Sequence, residues 1–178
     1  GAFKIDDMKI LALFFILTIF TNCNQINNQN ISPDNFLIDT SKIAIFPCDT
    51  NLNLFKNCIN TALTNEDIKE IEELLRKCIE EYNPEMERKF YEYKAKHPSS
   101  NLEKEQFTIK LSRYKRQYIA VVNSRGEKVV WINCFCNTYD NNWKENLIFV
   151  KDGGNCFFNL KVNLKTGKYY DLIVNGEA

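Results

Sequence analysis

Seven cysteines and a single histidine set limits on the chemistry that this chain of 178 residues can perform. A cysteine nucleophile needs its thiolate and a nearby base. His97, the one histidine, stands before Pro98 in a polar loop, where an exposed side chain is the expectation. No CxxC pair accompanies it, so no zinc ligand set forms, and neither a metal nor another cofactor is expected. Strand parity puts Ile132, Cys134 and Cys136 on one face and Trp131, Asn133 and Phe135 on the other. Cys156 alternates in phase with Phe158, Leu160 and Val162, and Cys78 falls on the apolar stripe of a helix. Cys78, Cys134, Cys136 and Cys156 are therefore expected as small buried hydrophobes of a helix–sheet core. The alternative is a disulfide, either Cys48–Cys58 or Cys156 with a cysteine on the neighbouring strand. Cys134 and Cys136 cannot pair with each other, because residues two apart on a strand exceed the ~5.5 Å Cα separation a bridge prefers.

The remaining polar clusters read as structure. Glu72, Glu73, Glu80 and Glu81 belong to the solvated side of a helix, and no isolated carboxylate pair suggests glycosidase chemistry. Asp152-Gly153-Gly154-Asn155 is too short for a phosphate loop and reads as a turn between strands. Arg113, Lys115 and Arg116, interleaved with Tyr114 and Tyr118, resemble a basic-aromatic surface, but 23 basic residues balance 23 acidic ones. A charged strand edge is the better reading, and nucleic acid is not an expected partner. The aromatic set Trp131, Phe135, Tyr139 and Trp143 is the candidate binding surface. If the cysteine face is the core, these residues form an exposed apolar patch for a partner or ligand. The competing expectation is that the segment Ile43–Leu63 covers that face.

The elements that must position these residues follow from periodicity. With 44% hydrophobic and 13% aromatic residues, the chain can build a core, and its length suits one domain. Thr64 with Asp67 three residues on is a capping pattern. Ile68, Ile71, Leu75, Cys78, Ile79 and Tyr82 then recur at helical spacing, which predicts an amphipathic helix over about 65–82 stopped by Asn83-Pro84. A short second helix is expected over Glu85–Lys96. From Glu105 the period becomes two, with strands expected at Phe107–Leu111, Tyr118–Val122, Lys128–Cys136, Leu147–Lys151, Asn155–Val162 and Tyr169–Val174. The predicted fold class is α+β, one main helix packed on a four- to six-stranded antiparallel meander. This element order resembles cystatin-like and NTF2-like domains. The resemblance implies a helix on a curved sheet and no particular function.

Address is written at the other end. Met8-Lys9, the apolar run Ile10–Phe20 and Thr21-Asn22-Cys23 form a short charged start, an apolar segment too short to span a bilayer, and a cysteine. The pattern resembles a bacterial lipoprotein signal, which implies lipidation of Cys23 and export to the cell envelope, with the membrane as partner through that lipid. Residues 1–22 are then tag or upstream sequence plus signal peptide, 23–40 an Asn-rich tether, and 41–178 a single α+β domain. The function expected is a non-catalytic, envelope-anchored module that binds another envelope protein or a ligand, in the manner of an inhibitor, immunity protein or accessory subunit. The alternative is a small enzyme with a pocket between the helix and a concave sheet.

Overall fold

Thr64 starts the dominant helix through a capping box. Its hydroxyl accepts the Asp67 N–H at 3.1 Å, and the Asp67 carboxylate accepts the Thr64 N–H at 2.7 Å. The structure is a computed structural model that describes residues 38–57, 59–137 and 140–176. Helix α1 spans Asn65–Lys96 and buries Ile71, Leu74, Leu75, Cys78 and Ile79 along one stripe. The stop expected at Asn83-Pro84 does not occur, and the two predicted helices are one. Proline removes one helical hydrogen bond, but tertiary contacts hold the chain helical through that turn. The Asn83 amide binds both backbone groups of Ile109, at 2.9 and 2.8 Å. About two to three turns later, Phe90 and Tyr93 pack on Phe107 at centroid distances of 5.3 and 6.1 Å.

The strands are β1 (Ile43–Phe46), β2 (Ile59–Asn60), β3 (Lys115–Val122), β4 (Lys128–Phe135), β5 (Phe157–Asn163) and β6 (Lys168–Val174). Their order is β1-β3-β4-β5-β6, with β2 pairing β3. The sheet is mostly antiparallel but not a pure meander, because β1 runs parallel to β3. A parallel neighbour needs a long crossover, and α1 lies within the connection that supplies it. Two expected strands are absent. Around Phe107–Leu111 the chain makes single 3-10 turns, Lys104–Gln106 and Leu111–Arg113, and Leu147–Lys151 is a loop lying over the sheet.

Cross-strand register sorts the side chains into two faces. Tyr118, Ile132 and Leu160 form one row under the helix, and Arg116, Cys134, Phe158 and Val174 another. With Ile71, Leu75, Cys78 and Ile79 of α1 they make the main core. Glu72 is buried there too. Its carboxylate accepts the Tyr118 hydroxyl and forms a 2.8 Å salt bridge with Arg116 Nε, although the Nε–H makes no hydrogen bond. Glu72, expected on the solvated side, thus belongs to the core, and the basic run is not a strand edge, since β3 lies inside the sheet and Tyr114, Arg116 and Tyr118 are buried, with Arg113 alone of the run exposed.

Candidate ligand groove on the second sheet face

Rows on the opposite face run Phe46–Ile119–Trp131–Lys161–Tyr170 and Ala44–Gln117–Asn133–Asn159–Ile173. Two segments cover the β1–β3–β4 half of this face. From one side, Leu52, Leu54 and Phe55 pack over Ile119, Val121, Val129 and Trp131. From the other, the chain around Trp143–Ile148 is pinned by two buried amides. Gln117 donates through Nε2 to the carbonyls of Trp143 (2.6 Å) and Asn146 (2.7 Å) and accepts the Ile148 N–H at 2.9 Å. Asn133 donates to Gln117 Oε1 (3.1 Å) and to the Ile148 carbonyl (2.7 Å). Buried amides on strands require partners, and here loop backbone provides them. That requirement, which β-propensity ignores, is why 147–151 is a loop.

The far end of the same loop is tied by Asn175, whose Nδ2 donates to the carbonyls of Val150 (2.6 Å) and Asp152 (3.0 Å). Gly153 lets it turn there. Its φ is +92°, and a Cβ would stand 2.8 Å from the Phe157 ring. Between the two anchors Phe149 projects, 56% exposed, and stacks on Trp131 at 5.9 Å.

The expected aromatic patch is therefore corrected. Trp131, Phe135 and Trp143 are buried. Phe135 packs edge-on against Trp143 at 5.7 Å, and the Lys115 and Lys144 ammonium groups flank the Trp143 ring. The competing expectation, a cover from Ile43–Leu63, describes half of what happens, the 143–148 loop being the other half. Tyr139 lies outside the described residues.

The β5–β6 half of this face stays open. Tyr170 is 41% and Ile173 57% exposed. A row of cavities lies along β4 and β5, crossed by the loop held between Asn133 and Asn175. At one end a cavity of 340 Å³ is bounded by Asn53–Asn57, the Asn123-Ser124 turn and Tyr170. Its centre, over Trp131 and Asn159, holds smaller cavities of 280 and 140 Å³ that share Leu54. The other end is a cavity of 580 Å³ under Phe149 and Val150, reaching Asn137, Cys156 and Phe157. Trp131 Nε1 donates to Asn159 Oδ1 at 3.2 Å, fixing that amide. Lys161 bonds Asp171 at 3.1 Å and lies over the Phe55 ring. Asp171, at φ +54°, is part of the β-bulge that twists edge strand β6. Partial burial, with the Asp171 charge, raises the Tyr170 phenol above its ordinary pKa. Asp140 lines the 580 Å³ cavity, but its carboxylate accepts the Asn142 N–H (2.7 Å) and Asn146 Nδ2 (3.0 Å) and so builds the turn.

The cysteines divide. Cys136 and Cys156 form a disulfide with Cα atoms 5.0 Å apart, joining the end of β4 to the start of β5 at the end of the row of cavities. This is one of the sequence alternatives, and it displaces the expectation that both are free core residues. Cys78 and Cys134 are free and buried. Burial pushes the Cys78 thiol up to about 11 and raises Cys134 further, so neither is a ready thiolate. Cys48 is disulfide-bonded. Cys58, its expected partner, lies outside the described residues, as does Cys23. The helix–sheet interface, where the enzyme alternative placed a pocket, is filled by the main core, and the cavities described above open on the other face.

Strand parity gave access to part of this site. Phe157, Asn159 and Lys161 alternate with Phe158, Leu160 and Val162, so their position on the second face was readable. Phe149 gave no such signal, because its place depends on the amides of two distant strands. In comparisons with known proteins, no family model, no curated protein and no solved structure matches the chain.

Proposed function

We propose that the chain is a non-catalytic, lipid-anchored module of a bacterial cell envelope, and that it binds another envelope protein or a small ligand through the second face of the sheet. One observation carries the reading. One sheet face packs on the helix core, while the second is covered over only part of its width, leaving Phe149, Tyr170 and Ile173 exposed beside a row of cavities. Exposed apolar groups rimmed by polar ones mark interaction sites more often than chance. The central charges of the row are paired and its thiols are absent or bridged, which suits recognition better than covalent chemistry. The anchor rests on the pattern from Met8 to Cys23.

Hydrogen exchange of the full chain, with and without envelope extract, tests the surface. Protection is expected on β5, β6 and the Phe149 segment, and Ile173→Asp is expected to abolish it. Protection confined to the exposed side of α1, or none at all, refutes the assignment. Cys23→Ala is expected to move the chain out of the membrane fraction, and retention there would remove the anchor.

A further inference from the structure

We propose that Asn175, followed by Gly176, is a self-modifying site, where loss of the side-chain ammonia with water as the only reactant unties the loop that crosses the second sheet face. Asn175 is the one asparagine of the chain that precedes glycine. In such a pair the glycine backbone nitrogen reaches the asparagine Cγ most easily, because no Cβ stands beside it. Gly176 lies past the end of β6, which stops at Val174, and it is exposed. Its carbonyl accepts the Gly154 N–H at 2.9 Å, but its own N–H makes no hydrogen bond among the described residues. The nitrogen that must attack is unengaged.

The step balances without a redox partner. The Gly176 nitrogen gives its proton to solvent and bonds to Asn175 Cγ, while the bond from Cγ to Nδ2 breaks. Nδ2 takes up a proton and leaves as ammonia, and a cyclic imide remains. Water then opens the ring at either carbonyl. One product is an aspartate, the other an isoaspartate whose main chain runs through the former side chain. Ammonia is lost to solvent, so the change runs one way.

The position of Asn175 gives this change a consequence. Its Nδ2 is the donor that holds the carbonyls of Val150 (2.6 Å) and Asp152 (3.0 Å), and in either product that donor is gone. The aspartate sets a carboxylate, which can only accept, against two carbonyl oxygens. The isoaspartate adds a methylene to the main chain, which also draws the Gly176 carbonyl off the Gly154 N–H. The other end of the loop stays tied at Ile148 by Gln117 and Asn133, so 149–152 swings alone. Phe149 then leaves Trp131, and the 580 Å³ cavity that Phe149, Val150, Asp152 and Gly153 help to line opens. None of this depends on a ligand for that face. The two hydrogen bonds also restrain the amide. They are expected to slow its loss about thirtyfold against a free peptide, the equivalent of about 1 kcal/mol each.

The test incubates the full chain in mildly alkaline buffer, beside a peptide of residues 170–178 as the unfolded reference. Peptide mass spectrometry follows the conversion, and hydrogen exchange is measured on the same samples. Asn175 is expected to convert ahead of every other asparagine. The converted fraction is expected to exchange over 149–152 like an unprotected loop, with β5 protected as before. Asn175→Asp is expected to show that exchange from the outset. Gly176→Ala separates chemistry from structure. A Cβ there meets nothing within 4 Å, so the fold keeps it. The methyl beside the attacking nitrogen is nevertheless expected to slow conversion about tenfold, a barrier higher by about 1.4 kcal/mol. If the folded chain stays unconverted for about a hundredfold the peptide's reaction time, more than two hydrogen bonds account for, the proposal is overturned. A converted chain whose 149–152 amides stay protected overturns it too, as does a Gly176→Ala chain whose loop loosens at the unaltered rate.

Discussion

Replacing Gln117 with methionine keeps the side chain's length and removes its hydrogen bonds. Three loop groups then lose their partner: the carbonyls of Trp143 and Asn146 and the N–H of Ile148. Left buried, each unsatisfied group costs about 1–3 kcal/mol, so the set costs about 3–9 kcal/mol. The loop has an escape, which is to lift into water. Lifting exposes Trp143, and about 200 Å² of aromatic surface at ~25 cal/mol per Å² is about 5 kcal/mol. The cheaper route wins, which puts the expected loss at about 3–5 kcal/mol, a large share of an ordinary domain's 5–15 kcal/mol. Urea unfolding reads it directly. With a slope of about 2 kcal/mol per molar, the midpoint falls by about 2 M. Native-state hydrogen exchange tells the two routes apart, since lifting unprotects the Ile148 amide while global destabilisation lowers every core amide together. A loss below about 0.5 kcal/mol, typical of surface substitutions, with Ile148 still protected, would refute the argument that these amides hold the loop over the sheet.

Three further expectations concern the helix start and the cysteines. Burial acts to raise the pKa of Asp67, but Lys128 at 2.6 Å and the Thr64 N–H outweigh it and hold the carboxyl below its ordinary value. A carboxyl depressed in the folded state stabilises above its unfolded pKa, and that stability is lost as pH falls through the folded one. Asp67→Asn is therefore expected to cost about 1–2 kcal/mol at neutral pH and to flatten the loss below about pH 4, measured by urea unfolding against pH. Changing Cys136 and Cys156 together to serine opens a bridge between residues 20 apart in sequence, and is expected to cost about 3 kcal/mol. In the unaltered protein, Cys78 and Cys134 are expected to react with a thiol reagent at pH 8 only after denaturant is added. Fast reaction in the native state would mean that the helix–sheet interface opens readily.

The parts of this fold readable from sequence are those decided by neighbours in the chain. The capping residues Thr64 and Asp67, the apolar stripe from Ile71 to Ile79, and the alternation in β4 and β5 all follow from local spacing, and all appear as expected. Expectations failed where a distant group decides. Pro84 stays helical because Asn83 finds Ile109, 26 residues away. Leu147–Lys151 is rich in strand-forming residues, yet Gln117 and Asn133 take backbone hydrogen bonds of Ile148. The parallel placement of β1 depends on which edge of β3 is free, and spacing carries no record of that. The candidate site shifted for the same reason. Trp131 was placed on the correct face, but whether that face is open depends on two covering segments whose reach is set by β3 and β4 together.

The buried Glu72–Arg116–Tyr118 cluster decides how the helix sits on the first face of the sheet. It is a poor source of stability, since removing two charges from water costs several kcal/mol per ion and the Nε–H of Arg116 makes no hydrogen bond in return. The guanidinium's other N–H groups bond the carbonyls of Tyr114 (2.8 Å) and Leu111 (3.3 Å), which fixes it on the sheet side. An interface of Ile71, Leu75, Cys78 and Ile79 alone would tolerate the helix sliding by one turn, about 5.4 Å, because apolar contacts re-form after the slide. Moving Glu72 that far strands a carboxylate and a guanidinium apart in the core, at a cost of about 3–5 kcal/mol for a broken buried pair. The helix is therefore held in one register across the strands. The second face is covered by Leu52, Leu54 and Phe55 and by the loop that Gln117, Asn133 and Asn175 hold, and Tyr170 and Ile173 stay exposed beyond them.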